Sequence, residues 1–135
     1  MGVAIWVGET SFPIGSPSFF KSFFSTVYVR VEKQWASKYP VLMNELYAGR
    51  VEHDHCDRAL EELADVRRRL ADFPPDQVVW DFEDLSSLPP WGDQISPTIT
   101  SLANYFWTSD GQDLIEVLVE AFDRCKASRK DAVIR

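Results

Sequence analysis

Between Pro89 and Phe122 the chain reads PPWGDQISPTITSLANYFWTSDGQDLIEVLVEAF, and this stretch limits the fold more than any other. Paired prolines cannot continue a helix or a central strand, so Pro89-Pro90 leads into an irregular turn at Trp91-Gly92. Ala103–Thr108 alternates as a short aromatic strand. A helix follows, capped by Ser109 or Asp110, with Ser109-x-x-Gln112 in capping-box form. Leu114, Val117, Leu118, Ala121, Phe122 and Cys125 fall on one face of that helix. The stretch holds no nucleophile in a catalytic setting, no phosphate cradle and no metal cage. It is built to present a shaped surface, which points to binding before catalysis.

The remaining elements follow from periodicity and punctuation. Val3–Val7 (VAIWV) is a buried strand, and Thr10–Gly15 reads as a turn. Ser16-Pro17 opens a first helix, on which Phe20, Phe23, Phe24, Val27, Val31 and Trp35 make one apolar stripe. Thr26–Val31 also alternates like a strand, but the stripe continues on both sides of it. Pro40 starts a short second helix, Val41–Ala48, closed by Gly49. A third helix spans His53 to Asp72, with Cys56, Ala59, Leu60, Leu63, Val66 and Leu70 as its buried seam and with Asp54–Arg58 and Asp65–Arg69 placed to pair. Pro74-Pro75 stops it. Val78–Glu83 (VVWDFE) is the next strand, and a long connection, Asp84 to Thr100, carries three prolines. Connections of that length are usually functional. Ala132–Ile134 closes the chain as a strand. The order β-α-α-α-β-β-α-β predicts an α/β protein of the α+β type. Its mixed sheet has about four strands with about four helices packed on it, in one domain spanning residues 1–135.

Charge narrows the function. The formal net charge of −7 repels phosphates, so nucleic acid is not an expected partner; simple solubility is the plain reading of such a charge, and attraction of a basic partner is the functional one. The two cysteines, Cys56 and Cys125, are too few for the disulfide framework of a small secreted domain and are expected to be small buried thiols. MGVAIWVGE has neither a basic region nor a long apolar run, so no signal peptide is expected. Trp6 stands where a myristoylation motif needs Ser or Thr. No segment approaches the length of a membrane helix, and the expected location is the cytoplasm.

Each cluster with chemical potential has a plain structural reading beside it. His53-Asp54-His55-Cys56-Asp57 offers helix-spaced ligands only as His53 with Cys56 or Asp57, and lacks a second cluster, so these are read as polar residues at a helix start. Asp81, Glu83 and Asp84 gather carboxylates at a strand end. They suit a divalent metal, acid–base work, an acidic docking patch, or a solvated edge that blunts strand pairing. Gly8–Gly15 lacks the lysine of a phosphate loop and the dinucleotide fingerprint. Arg67-Arg68-Arg69 suits the end of a helix. Trp91-Gly92-Asp93 is the leading interaction candidate, because Trp is over-represented in binding hot spots; its alternative is a lid folded onto the core. Tyr105, Phe106 and Trp107 alternate, so at least one faces out.

FFSTVYVRVE (Phe23–Glu32), KYPVLMNELYAG (Lys38–Gly49), VVWDFEDLS (Val78–Ser86), PPWGDQIS (Pro89–Ser96) and NYFWTSDGQDLIEVL (Asn104–Leu118) occur in an order that resembles the immunity protein 70 family over nearly the whole length. Members are small cytoplasmic proteins encoded beside bacterial polymorphic toxins. The resemblance implies a protein that is not an enzyme, uses no cofactor and no metal, and occludes a cognate toxin domain. Many such toxins are nucleases with basic clefts, which an acidic inhibitor suits. It transfers no site residues. The residues themselves nominate Asp81, Glu83, Asp84, Trp91 and Asp93 as toxin contacts, with neither nucleic acid nor membrane as partner and homo-oligomerisation left open. Two further readings remain: a divalent-metal-dependent enzyme using Asp81, Glu83 and Asp84, and a homodimeric regulatory module.

Overall fold

A computed structural model describes residues 2–92 and 94–135. Strands β1 (Val3–Val7), β2 (Thr10–Gly15), β3 (Arg50–Val51) and β4 (Ala132–Ile134) form one sheet in the order β2-β1-β4-β3. Every pairing is antiparallel, so the expected mixed sheet is antiparallel throughout. Three α-helices accompany it: α1 (Pro17–Thr26), α2 (Cys56–Leu70) and α3 (Leu114–Ser128). A π-helical turn, Val27–Glu32, extends α1, and a second one, Val41–Leu46, stands alone. The α+β class holds.

β1 and β2 form a hairpin whose two-residue turn places Gly8 at φ 62°, a conformation that favours glycine. The expected turn at Thr10–Gly15 is therefore a strand. Its Pro13 is tolerated because β2 lies at the sheet edge, where a missing N–H breaks no ladder. Ile5, Val7 and Ile14 are buried in a cluster with Phe23, Phe24, Leu63, Leu118 and Phe122.

α1 begins as its sequence dictates, with the Ser16 hydroxyl accepting from Phe19 N–H at 3.1 Å and Pro17 in the first turn. The helix stops at Glu32 instead of reaching Trp35, and Lys33 turns left-handed at φ 65°. Ala36 does the same at φ 62°. Such conformations are unfavourable for residues with a Cβ and need an outside restraint. Glu32 supplies it: its buried carboxylate accepts from Ala36 N–H at 3.2 Å, Lys38 N–H at 3.0 Å and Tyr39 N–H at 2.9 Å.

α2 provides a second buried carboxylate. Glu62, 3% exposed, accepts from Val41 N–H at 3.3 Å and Leu42 N–H at 2.9 Å, and Arg58 pairs with it at 3.1 Å. It caps the π-helical turn from another element, where negative charge suits the free N–H groups. One turn further on, Asp65 accepts from the buried Tyr39 hydroxyl at 2.6 Å and from Arg69 Nε at 2.8 Å. Arg58 thus pairs with Glu62 and not with Asp54. The buried seam also differs from expectation, since Glu62 is buried while Leu60 is only half-buried.

α3 packs against α2. Its N-cap is Asp113, not Ser109 or Asp110; the Asp113 carboxylate accepts from Ile115 N–H at 2.9 Å and Glu116 N–H at 3.3 Å. Thr108 and Asp110 bond to each other in the preceding turn, and Gln112 N–H donates to Thr108 Oγ1. Cys56 on α2 and Cys125 on α3 form a disulfide, with Cα atoms 6.6 Å apart and a sequence separation of 69. This corrects the expectation of free thiols. Two cysteines are too few for a framework, but two helices packed together can still bring one pair within bonding range.

Two expected strands are absent. Ala103–Thr108 contains the end of a short 3-10 turn, Leu102–Asn104, and a single bridge from Trp107 to Asp113. Val78–Glu83 joins no strand: it bends at Trp80 and turns at Phe82-Glu83, where Asp84 N–H donates to Asp81 C=O at 3.1 Å, and its partner is a helix face. Arg30 Nε donates to Gln77 C=O at 2.7 Å, and Thr26 Oγ1 bonds both Val79 C=O (3.1 Å) and Val79 N–H (3.0 Å). Ser25 Oγ accepts from Phe82 N–H at 3.0 Å, and Lys21 pairs with Asp81 and Glu83. Lys21 with Ser25, and Thr26 with Arg30, are neighbours at i,i+4, and these polar side chains take the place of a neighbouring strand. Among the described residues no helix is long and apolar enough to cross a membrane.

Three outcomes follow. Glu62→Gln replaces one acceptor oxygen with a donor and leaves a buried N–H unpaired; it is expected to cost about 1–3 kcal/mol, read as a lower urea midpoint. Thr26→Val removes both bonds to Val79 and is expected to cost a similar amount, about 1–3 kcal/mol, with faster amide exchange across residues 77–83. The third concerns acid. The Tyr39 hydroxyl, then Arg69 and Arg68, hold the Asp65 carboxyl down to about 2 from its ordinary 3.8. Its contribution is fully present above 3.8 and is lost as pH falls toward 2. Burial shifts Glu62 upward, with the opposite sign, so its contribution declines as pH rises above its ordinary value of 4.5. Asp65→Asn is expected to flatten the acid limb of a stability-versus-pH profile.

Candidate functional site

The docked stretch 77–83 and the loop after it carry most of the nominated residues. Asp81 and Glu83 flank Phe82 and converge on one ammonium: Lys21 Nζ lies 3.3 Å from Asp81 Oδ1, 2.5 Å from Glu83 Oε1 and 5.2 Å from the Phe82 ring centre. The Glu83 N–H, donating at 2.9 Å, and then Lys21 hold the Asp81 carboxyl below its ordinary value. Glu83 pushes the Lys21 ammonium upward in turn. Both groups are therefore charged at neutral pH. A divalent ion between these two carboxylates would have to displace Lys21. Asp84 faces its own turn, accepting from Ser86 N–H at 3.2 Å and Ser86 Oγ at 2.6 Å, and so does not join the other two in one ligand set.

Trp91 combines the two roles considered for it. Its Nε1 donates to Tyr105 Oη at 2.8 Å and its ring stands edge-on to Trp80, centres 5.4 Å apart, while 40% of the residue stays exposed. The ring is anchored and still offers a contact surface. Burial raises the Tyr105 hydroxyl, which keeps it neutral as the acceptor for Trp91. Of the three alternating aromatics, Tyr105 and Phe106 are buried and Trp107 is the outward one. Asp93 lies outside the described residues.

Sequence reasoning missed a hollow beside these residues. A groove of about 570 Å³ is walled by Val29, Val78, Trp80, Leu85, Leu88 and Ile95. Leu85 and Leu88 are 68% and 73% exposed. The available signal was two leucines three apart in a Ser- and Pro-rich loop, where neither helix nor strand periodicity assigns them to a core. A second hollow of about 400 Å³ is lined by Tyr28, Trp35, Met43, Tyr47 and Phe82. Its rings meet mostly edge to face, Trp35 against Tyr47 at 5.0 Å and Tyr28 against Phe82 at 5.6 Å. Segment 78–82 thus sends Trp80 toward one hollow and Phe82 toward the other.

The remaining clusters have structural occupations. His53 Nδ1 lies 3.2 Å from Asp131, His55 Nδ1 lies 2.8 Å from Glu45, and Cys56 is in the disulfide. The His53–Cys56 ligand pair is thereby removed. Glu52, Asp54 and His55 place one ligand atom each within 4.8 Å of one another, on the surface. Arg67 ties α2 to α3 through Glu116 at 2.6 Å, and Arg68 and Arg69 both pair with Asp65.

What this geometry offers is an anchored indole, a leucine-rimmed groove and charged carboxylates on one stretch of chain, an arrangement suited to contact. Neither the curated proteins nor the solved structures contain a match to the chain. The family model described as immunity protein 70 matches residues 5–134, from within β1 to the end of β4. That span takes in every element described above except the first two residues of β1, and the chain belongs to the immunity protein 70 family.

Proposed function

We propose that this chain binds a cognate bacterial polymorphic toxin directly and neutralises it by occlusion, in the cytoplasm of the cell it protects. Family membership over residues 5–134 carries the reading. Membership suggests immunity against a toxin; the toxin's class and the manner of neutralisation are our inference. The net charge of −7 suits a toxin with a basic cleft, such as a nuclease, since opposite potentials accelerate encounter and disfavour wrong partners. Asp81, Glu83 and Asp84 act as the charged contacts, with Asp93 nominated from sequence alone, and Trp91 is the anchor. No turnover is required: the inhibitor works by covering the toxin.

The pre-bonded indole supports the choice of anchor. A tryptophan held by Tyr105 and Trp80 loses little further freedom on binding, so more of its contact energy survives as affinity. Trp91→Ala is expected to weaken toxin binding by about 2 kcal/mol, close to 30-fold, in calorimetry against a candidate cognate toxin domain. Tyr105→Phe keeps the ring packing, removes the acceptor and is expected to have a smaller effect. Full affinity in Trp91→Ala would take this residue out of the interface. Failure of the unaltered protein to bind or inhibit that toxin domain would sink the immunity reading for this pair.

A further inference from the structure

The groove beside Trp80 has a feature that folding does not explain. Leu85 and Leu88 stand at its edge, 68% and 73% exposed, in a chain that buries its other leucines wholly or in part. Full burial of one leucine is worth about 1.5–3 kcal/mol, and a contiguous exposed apolar patch on a soluble protein marks a contact site. The groove's charge then selects among partners. Asp76 lines it and has no hydrogen bond or ion pair among the described residues. The Asp84 carboxylate, next to Leu85, accepts only from Ser86 N–H and Ser86 Oγ among the described residues. Asp81 and Glu83 share the single ammonium of Lys21. The cation on the groove wall, Arg30, is tethered through Nε to Gln77 C=O, and its other guanidinium nitrogens have no partner among the described residues. Of these charged groups, Asp76 and Arg30 line the groove and Asp84 adjoins its rim residue Leu85, so two carboxylates there meet one cation.

We propose that this groove seats a short basic, amphipathic segment of the toxin. One or two large apolar side chains lie between Trp80 and the leucine pair, and flanking lysine or arginine side chains meet Asp76 and Asp84. The free donors of Arg30 serve a backbone carbonyl of the same segment. A strongly acidic segment is disfavoured by the surplus of carboxylates, and a purely polar one would leave the leucines uncovered. This inference rests on the toxin-binding reading and adds where the toxin docks and what chemistry it brings.

The test compares the unaltered protein with a Leu85→Ser/Leu88→Ser double variant, Asp76→Lys, and Glu120→Lys on the exposed face of α3 as a control. Both leucines are solvent-facing, so near-ultraviolet circular dichroism is expected to be unchanged. Against the candidate cognate toxin domain the double variant is expected to lose about 30-fold or more in affinity. Asp76→Lys is expected to lose about tenfold, with a weaker salt dependence, and the control is expected to stay near the unaltered value. If the unaltered protein binds and inhibits while the groove variants bind equally well, the groove is overturned and the immunity reading stands. If the unaltered protein does not bind that toxin, the immunity reading fails, and the groove is judged by a peptide of alternating lysine and leucine followed through tryptophan fluorescence. Binding that the double variant abolishes, and that an alternating glutamate–leucine peptide does not reproduce, supports the groove chemistry; absence of binding, or equal binding of the acidic peptide, overturns it. A dimer in light scattering that the double variant dissolves assigns the groove to a second copy of this chain and also overturns it.

Discussion

Glu32 and Glu62 come from different helices and between them accept five backbone N–H groups, those of residues 36, 38, 39, 41 and 42. That stretch has too little regular structure to satisfy its own donors, and a buried N–H without a partner is expensive. The two carboxylates resolve the conflict by acting as detached helix caps. They fix the left-handed residues Lys33 and Ala36 and set the entry of the π-helical turn that carries Met43 and Tyr47. The aromatic hollow depends on that placement, because Trp35 and Tyr47 reach Phe82 from the two ends of the clamped stretch.

The same logic, with polar side chains standing in for a missing backbone partner, governs the segment that presents the surface. A strand in a sheet has its amides paired on one edge at least. Residues 77–83 instead lie along the face of α1 and its extension, bonded by Lys21, Ser25, Thr26 and Arg30. Alternating side chains are then free to serve two hollows, and the following loop leaves Leu85 and Leu88 exposed without disturbing a sheet. The carboxylates here do little for stability, since exposed ion pairs contribute about 0–1 kcal/mol. Their effect lies in the field they present to an approaching partner.

Much of the framework was legible in the chain. Pro17 after Ser16, the apolar stripes of α1 and α3, the stop at Pro74-Pro75 and the strands at Val3–Val7 and Ala132–Ile134 are local signals, and each corresponds to an element of the fold. The misreadings share a cause. Val78–Glu83 has the alternation of a strand, but alternation reports two-sided burial of an extended chain and not the identity of its neighbour. Thr10–Gly15 reads as a turn but is a strand, and its Pro13 is tolerated only at an edge. Glu62 is missing from the expected seam because glutamate is rarely buried unless paired, and its partners are amides 20 and 21 positions away. At the surface, the acids and Trp91 were visible as types of residue, whereas Lys21 between two carboxylates and Tyr105 beneath the indole were not.

The sequence by itself determined the helices, two of the strands, the acidic charge and the family, because these are written in residues close together in the chain or in composition. Only the tertiary structure decided which polar groups are buried, that Cys56 meets Cys125, and that two leucines of a proline-rich loop border an open groove. Those outcomes depend on which distant segment arrives at a given face, and a hydrogen bond or a cavity belongs to the pair of segments that make it.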